Sequence, residues 1–318
     1  MNLKSKFFFH QKGSTKGGLH SEYVHENLEM YSLLLPVLLL IFIFCYIPLY
    51  GLVIAFQDYT PGSPFIGSDA TWVGLKHFVQ FINGKFFWRI IRNTLVLNGL
   101  NLVFGYTAPI LFAVLINEVK NMRFKKLSQT ASYLPYFISN VVVAGMALSF
   151  LSTNGIVNQL ITLLGGTPQS FQTEPNMFPA IYTIVNVWKG FGFGSILYIS
   201  TLSSIDPALY ESARLDGAGR IQQMWYITFP GLKNVMAINL IMQVGSILST
   251  NSDLILLLYS PSIYETSDVI GTYIYRMGIE GGKFSYTTAV GLFMSIIGFI
   301  LTFFANKVSN RVAGYGLW

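Results

Sequence analysis

The chain of 318 residues is 52% hydrophobic and only 11% charged, with 20 Lys and Arg against 14 Asp and Glu. Soluble globular domains carry about 25% charged residues, so this composition argues against a soluble enzyme and indicates an integral membrane protein. The net charge of +6 comes from basic loops without interleaved aromatic residues. Such loops are typical of membrane topology signals, and we expect no nucleic-acid binding.

Six apolar stretches reach the length of about 20 residues that a helix needs to cross a bilayer. They predict an all-α, polytopic membrane protein with six transmembrane helices and a short tail at each end. The predicted spans are residues 31–56, 93–116, 128–151, 178–203, 234–258 and 286–306, with tails at 1–30 and 307–318.

Lys and Arg residues near the spans predict the orientation, because cytoplasmic loops carry an excess of them. Placing both termini in the cytoplasm puts the larger set inside: Lys4, Lys6, Lys12, Lys16, Lys120, Arg123, Lys125, Lys126, Arg214, Arg220, Lys233, Lys307 and Arg311. The outer set is Lys76, Lys85, Arg89, Arg92, Arg276 and Lys283. The predicted location is therefore the bacterial cytoplasmic membrane, with the 204–233 loop on the ATP side.

The chain lacks the residues that metal or enzyme chemistry needs. Its only cysteine is Cys45, and no pair of its four histidines has zinc-ligand spacing. The predicted spans contain no histidine, paired carboxylates or nucleophile–base constellation. The chain also has no G-x-x-x-x-G-K-[ST] phosphate loop. We expect neither catalysis nor a cofactor in this chain.

The most informative segment is 211–230, ESARLDGAGRIQQMWYITFP, a polar island between the fourth and fifth predicted spans. Asp206 and Pro207 predict the start of a helix, as N-cap and first helical residue. Gly217 permits a sharp turn before a second helix over 219–227, and Pro230 then starts the fifth span. The expected apolar face of the two helices consists of Ala213, Ala218, Met224 and Trp225.

The pattern E-x-A-x-x-x-G with I-x-x-P downstream resembles the coupling loop of binding-protein-dependent ABC-importer permeases, which have the MetI-like fold. In those proteins the loop docks into a groove of a separate ATPase subunit. The residues that match this motif are Glu211, Ser212, Ala213, Asp216, Gly217, Ala218, Ile227 and Pro230. Ser212 replaces the usual second alanine, and Phe229 replaces the leucine before the proline.

Further segments are similar to the LplB-like subgroup of carbohydrate importers, which is associated with oligosaccharides from complex polysaccharides. They include YLPYFISNVVVAG at 133–145, VWKGFGFGSILYISTLSSIDPALYE at 187–211 and YSPSIYETSDVIGTYIYRMGI at 259–279. The resemblance implies a permease paired with a second, homologous permease in the membrane lipid. It also implies two partner subunits that bind ATP and Mg²⁺, and an extracytoplasmic sugar-binding (lipo)protein.

Spans four and five carry aromatic, amide and hydroxyl groups of the kind that bind sugars. The candidate substrate residues are Tyr182, Asn186, Trp188, Lys189, Gly190, Phe193, Gln243, Ser249, Thr250 and Asn251. Gly190 and Phe193 are similar in position to sugar-facing residues of the maltose-importer permease, as are Gln243, Ile247 and Thr250. Ile247 is apolar, so that site is reproduced only in part. Interhelical packing is an alternative for each of these residues.

Two charged residues lie inside the predicted spans, where charge is costly. Lys189 either lines a cavity and donates to sugar hydroxyls or carboxylates, or snorkels and pairs with protein groups. Asp253 lies nearer the outer surface. A Lys189–Asp253 ion pair would have to bridge depths that differ by about 9 Å at the 1.5 Å rise of a helix.

Three other functions are compatible with parts of the sequence. An importer of peptides or another non-sugar solute would carry the same coupling segment. A passive channel would not need that segment, and a membrane-embedded enzyme would need catalytic groups that the spans lack. The favoured hypothesis is an oligosaccharide ABC-importer permease.

Overall fold

The computed structural model describes residues 18–67, 70–314 and 316. The predicted tail residues 1–17, 315, 317 and 318 lie outside the described part. The described residues are almost entirely helical, with one isolated antiparallel bridge between Gln57 and Trp72. The all-α prediction is confirmed.

Fifteen α-helices follow one another along the described chain. They are α1 (Gly18–Ile41), α2 (Lys76–Ile82), α3 (Phe87–Leu100), α4 (Tyr106–Asn117), α5 (Met122–Tyr133), α6 (Asn140–Phe150), α7 (Ile156–Leu163), α8 (Phe178–Ser203), α9 (Pro207–Leu215), α10 (Arg220–Gln223), α11 (Phe229–Gly245), α12 (Ser252–Leu258), α13 (Tyr264–Ser267), α14 (Ile270–Ile274) and α15 (Phe284–Ala313).

Short π-helical and 3₁₀ segments join several of these helices end to end. A π-helical turn, Asn101–Gly105, connects α3 to α4, and a second one, Met224–Thr228, connects α10 to α11. A π turn and a 3₁₀ segment extend α1 to Phe56. Within the described part of the chain, three continuous helical stretches are long and apolar enough to cross a membrane: Met30–Phe56, Phe87–Asn117 and Phe284–Arg311.

The predicted span 128–151 is not one helix. Met122–Phe137 and Asn140–Phe150 meet at an angle of 101°, and together they make a fourth candidate span. Pro135 lies in a 3₁₀ turn, and Ile138 and Ser139 are extended. Ser139 then caps α6 by accepting a hydrogen bond from the amide of Val142. The proline and the serine cap together explain the bend.

The predicted span 234–258 is also interrupted. Helix α11 ends at Gly245 and α12 begins at Ser252. Ser, Thr and Asn side chains in 246–251 compete with the helix for backbone hydrogen bonds. Asn251 is the N-cap of α12 and accepts from the amide of Leu254 at 3.4 Å. The predicted span 178–203, in contrast, forms one uninterrupted helix, α8.

Helix α8 lies at the centre of the packing, against α3, α4, α5 and α11. Tyr182 and Phe178 on α8 join Leu254 and Ile255 of α12 in one buried cluster. At the other end of α8, Tyr198 and Leu202 pack with Ile110 of α4 and Leu232 of α11 in a second cluster. The first helix differs, because its described hydrophobic residues from Leu28 to Tyr50 are exposed.

A close approach of two backbones positions α8 against α5. A Cβ atom at Gly192 would overlap the carbonyl group of Ser132, whereas a Cβ at Gly190 would meet nothing within 4 Å. Gly192 is therefore a packing residue. The approach places the 101° bend beside the middle of α8.

A chain of asparagine side chains connects the helix interruptions. Asn140 begins α6 after the bend, Asn251 ends the gap before α12, and Asn101 begins the π turn after α3. Lys189 and Asn186 on α8 complete the chain. The hydrogen bonds run from Lys189 Nζ to Asn140 Oδ1 (2.5 Å), Asn140 Nδ2 to Asn251 Oδ1 (3.4 Å), Asn251 Nδ2 to Asn186 Oδ1 (3.3 Å), Asn186 Nδ2 to Asn101 Oδ1 (3.0 Å) and Asn101 Nδ2 to the Leu97 carbonyl (3.0 Å).

A buried ion cluster joins α3 to α14 at the end of the bundle opposite residues 211–230. The carboxylate of Asp268 is fully buried and accepts two hydrogen bonds from Arg276, at 3.0 and 2.6 Å, and one from Arg89 at 3.3 Å. Burial acts to lower the pKa of Arg276, but its hydrogen bonds to Asp268 and the charge of that residue outweigh burial and raise the pKa above its usual value. Arg276 therefore keeps its positive charge beside this carboxylate.

We expect Gly192→Ala to lower the stability of the protein by about 1–3 kcal/mol, because the new methyl group must displace the backbone of α5. Gly190→Ala, two residues away on the same helix, is the matched control. It should leave stability unchanged or raise it by up to about 1 kcal/mol, the gain from replacing glycine in a helix. Thermal unfolding of the two purified variants measures the difference. Equal unfolding temperatures would contradict the packing role of Gly192.

We expect Asn251→Leu to cost about 1–2 kcal/mol, because Asn140 and Asn186 each lose a partner inside the bundle. Asn98→Leu is the control, since the side-chain nitrogen of Asn98 is buried and has no hydrogen-bond partner. Replacing that group should be neutral or stabilising. Chemical denaturation of both variants provides the test, and a loss of stability in Asn98→Leu alone would refute the importance of the chain.

Candidate functional site

The candidate coupling element begins where the sequence predicts. Asp206 caps α9 by accepting from the amide of Ala208 at 2.9 Å, and Pro207 is the first residue of the helix. The helix continues to Leu215 and so includes Glu211, Ser212 and Ala213. Glu211 is exposed. The hydroxyl of Ser212 donates to the Ala208 carbonyl at 3.0 Å, so it is satisfied within its own helix.

Gly217 makes the turn between the two short helices. Its φ of +83° lies in the left-handed region, which disfavours every residue with a Cβ. The amide of Gly217 donates to the Arg214 carbonyl at 3.1 Å, and the amide of Ala218 donates to the Ala213 carbonyl at 2.8 Å. These bonds close the C-terminus of α9, as the sequence predicts.

The second helix of the element does not stop at residue 227. From Arg220 the chain stays helical through the π turn Met224–Thr228 into α11, which ends at Gly245. Pro230 was predicted to start a new helix, but it lies inside a continuous one. A proline ring clashes with the carbonyl four residues earlier in an α-helix, and the wider π turn just before it relieves this clash.

The exposed apolar residues of the element differ from those predicted. Met224 packs against the buried cluster that includes Leu202 and Leu232. Ala213, Ala218 and Ile227 are half-buried. The most exposed large apolar side chains are those of Leu215 (89% exposed), Tyr226 (81%), Ile221 (72%) and Trp225 (64%). Of the predicted apolar face, only Trp225 is exposed.

Charged residues surround a cavity of about 730 Å³ behind this element. Glu211, Arg214 and Arg220 lie on one side, and Glu118 and Lys120, from the loop after α4, lie on the other. The cavity connects the candidate coupling element to two long helices, because α4 ends at Asn117 and α8 ends at Ser203.

The predicted substrate residues do not line one common cavity of the subunit. Tyr182 is fully buried in the core. Asn186, Gly190 and Gln243 line a cavity of about 270 Å³, whereas Ser249 and Thr250 line a different one of about 490 Å³. Trp188 lines an apolar groove on a third side of α8, and Asn251 caps α12.

Lys189 and Phe193 face in a further direction, towards the bend between α5 and α6. The ring of Phe193 stacks on Tyr136 with centroids 4.0 Å apart and an angle of 4° between the planes. The edge of Phe137 meets Phe193 at 6.0 Å. Lys189, one helical turn before Phe193, donates to Asn140. Lys189 and Asp253 do not form an ion pair, and neither residue belongs to one among the described residues.

Sequence reasoning missed Asn101, Asn140, Tyr136 and Phe137. Each lies beside a helix interruption, and two signals mark the bend: Pro135 and the Ser139 cap. A search for polar and aromatic residues next to such signals could have found them. Their mutual contacts could not be read from spacing, because 85 positions separate Asn101 from Asn186.

Comparison with known proteins identifies the family. Residues 105–314 match the family described as "Binding-protein-dependent transport system inner membrane component". The chain is 38% identical over 290 residues to the polygalacturonan/rhamnogalacturonan transport system permease protein YteP of Bacillus subtilis (strain 168), covering 91% of this chain and 90% of that protein. It is also 38% identical to protein LplB of the same organism, with 91% of each chain covered.

A solved structure has the same fold. It is the crystal structure of a bacterial ABC transporter involved in the import of the acidic polysaccharide alginate. One of its chains is 41% identical to this one, with a TM-score of 0.84 over 92% of this chain and 98% of that chain. The helical MetI-like fold inferred from the coupling motif is therefore confirmed, and the chain belongs to the inner-membrane permeases of binding-protein-dependent ABC importers.

Proposed function

We propose that the chain is one permease subunit of an ATP-driven importer that moves an oligosaccharide across the bacterial cytoplasmic membrane. A second homologous permease would complete the translocation pathway. Two separate subunits would bind ATP and Mg²⁺, and an extracytoplasmic binding protein would deliver the sugar. The relatives support the sugar substrate: one is named for polygalacturonan and rhamnogalacturonan, and a second alginate importer structure includes a periplasmic protein bound to an alginate pentasaccharide.

The observation that carries this proposal is the shape of the coupling element. Two short helices meet at Gly217 and present Leu215, Ile221 and Tyr226 to solvent. Exposed apolar side chains grouped on one projection indicate a protein partner. The second helix continues without a stop into α11. A partner that moves the projection would therefore move α11 as a rigid extension of it.

Transport would follow from that movement by alternating access. ATP binding brings the ATPase subunits together, the two coupling projections follow, and the cavity between the permeases opens to the other side. The finer topology belongs to the same proposal. Helices α8 and α11–α12, together with the four candidate spans, would complete six crossings, with both termini and the coupling element in the cytoplasm.

A non-sugar solute such as a peptide remains the alternative substrate, because the coupling element carries no information about the cargo. Uptake assays on the reconstituted complex distinguish the two. ATP-dependent uptake of a peptide with no uptake of any oligosaccharide would favour the alternative. Uptake that persists without the ATPase subunits would instead indicate a passive channel.

We expect Gly217→Pro to reduce ATP-driven uptake at least about tenfold, equivalent to about 1.4 kcal/mol, while membrane insertion is retained. Proline fixes φ near −65° and cannot adopt the turn. Gly165→Pro is the matched control: Gly165 has φ +84°, open space around its Cα, and an amide bonded to the Thr162 carbonyl at 3.0 Å. Equal uptake by the two variants in proteoliposomes would contradict the coupling role.

We expect Leu215→Ser to weaken binding of the ATPase subunits about tenfold to hundredfold. Docking would bury the leucine side chain, and that burial contributes about 1.5–3 kcal/mol to the binding free energy. Leu163→Ser is the control, since Leu163 also ends a short helix and is 81% exposed. Co-purification of the ATPase with each variant at several concentrations measures the effect. Unchanged co-purification with Leu215→Ser would place the docking surface elsewhere.

A further inference from the structure

A cation lies beside an aromatic surface at the middle of α8. Lys189 and Phe193 are four residues apart, so they occupy the same face of the helix. Tyr136 and Phe137, from the bend before α6, extend this face through their ring contacts with Phe193. All three rings are exposed on the surface of the subunit, by 45%, 73% and 38% for Tyr136, Phe137 and Phe193. We name Lys189, Asn140 and these three aromatic residues the cation–aromatic face.

The ammonium group of Lys189 has no counter-charge among the residues that the structure describes. The ion pairs among the described residues are Lys76 and His77 with Asp58, and Arg89 and Arg276 with Asp268, so none involves Lys189. Lys189 uses one of its three N–H donors, on Asn140. A charged group within a predicted span usually finds an opposite charge, because an unpaired charge is costly there. Two N–H donors of Lys189 therefore remain for a ligand.

The neighbouring groups define the chemistry of that ligand. Aromatic rings such as Tyr136 and Phe137 offer flat apolar surfaces to the C–H face of a sugar ring. A carboxylate on the same sugar would accept the free N–H groups of Lys189 in a charge-assisted hydrogen bond. A neutral sugar could use the rings and the amide, but it would leave the charge uncompensated.

We propose that Lys189 selects a carboxylated sugar: the cation–aromatic face binds a uronic-acid residue of the transported oligosaccharide, with the carboxylate on Lys189 and the sugar ring on the aromatic side chains. The proposal rests on the function proposed above and specifies its substrate class. It assigns to Asn140 the role of a positioning residue, because Asn140 orients the ammonium group and is itself held by Asn251.

A carboxylate can bind while the asparagine chain is kept. It would accept the two remaining N–H groups of Lys189, and the short bond from Lys189 to Asn140 would hold the ammonium group in place. The occupied site therefore contacts the end of the chain that joins the bend to the gap before α12.

The test uses the full complex in lipid nanodiscs without the binding protein, so that the affinity of the permease itself is visible. The probes are trisaccharides of galacturonic and of mannuronic acid, each compared with its carboxyl-reduced form, which has the same ring stereochemistry without the charge. Wild type is compared with Lys189→Met, Lys189→Arg and the control Lys283→Met. The side chain of Lys283 is exposed, and this residue is distant from Lys189 in the sequence. Equilibrium binding gives the ratio of dissociation constants for each pair.

We expect wild type to bind at least one uronate about tenfold to hundredfold more tightly than its reduced form, the effect of a charge-assisted hydrogen bond. Lys189→Met should bring this ratio close to one by weakening the uronate alone. Lys189→Arg and Lys283→Met should keep most of the ratio. Melting temperature and subunit composition of each variant confirm that the complex is intact.

Four results would overturn the proposal. They are an undiminished ratio in Lys189→Met, a wild-type ratio of one, no binding of any uronate probe, and loss of the second permease from Lys189→Met, which would assign the counter-charge to that subunit. Failure of the proposed function is separate. If the ratio behaves as expected but no sugar is taken up with ATP, the site assignment holds and the import function does not.

Discussion

The structure depends on how its interrupted helices satisfy their polar groups. In a lipid environment an open helix end has no water to bond with, so a break in a span survives only where protein groups supply the missing partners. Here the bend before Asn140, the gap before Ser252 and the π turn at Asn101 each contribute an asparagine to one hydrogen-bonded chain on α8. The positions of α3, α6, α8 and α12 relative to each other therefore follow from amide contacts as well as from apolar packing, which has little directional preference.

The two ends of the subunit are built differently. At the candidate coupling end the second short helix runs into α11 without a break, and the exposed residues include large apolar side chains. At the opposite end Asp268 and its two arginines fix α14 to α3. A force applied at the coupling end would thus reach the gap at residues 246–251 before it reaches the ion cluster. The gap contains Ser249, Thr250 and Asn251, so the first residues to respond would be those next to the asparagine chain.

Local features were predictable from the sequence, and contacts between distant segments were not. The Asp206 cap, the Pro207 start and the Gly217 turn depend on the backbone preferences of single residues, and the structure has all three. The helix after Gly219 was predicted to end before Pro230, because a proline usually interrupts a helix; the π turn that accommodates it has no strong sequence signal. The side chains that face solvent also differ from the predicted ones, since Met224 is packed and Tyr226 is exposed. Lys189 was recognised as unusual from its charge alone, but its partner Asn140 belongs to a different helix and depends on the close approach at Gly192.

The first helix has a consequence for the surrounding bilayer. Its apolar stretch Met30–Phe56 contains 27 residues, which at 1.5 Å per residue is about 40 Å long, against a hydrocarbon thickness of about 30 Å. The rest of the chain packs against the end of this stretch, where Ile47–Phe56 contacts α15, and leaves the hydrophobic residues from Leu28 to Tyr50 exposed. Hydrophobic mismatch therefore acts on the exposed part of the helix, which tilts or thickens the lipid around it. The angle of this helix should accordingly vary with the acyl-chain length of the membrane, while the helices around α8 keep theirs.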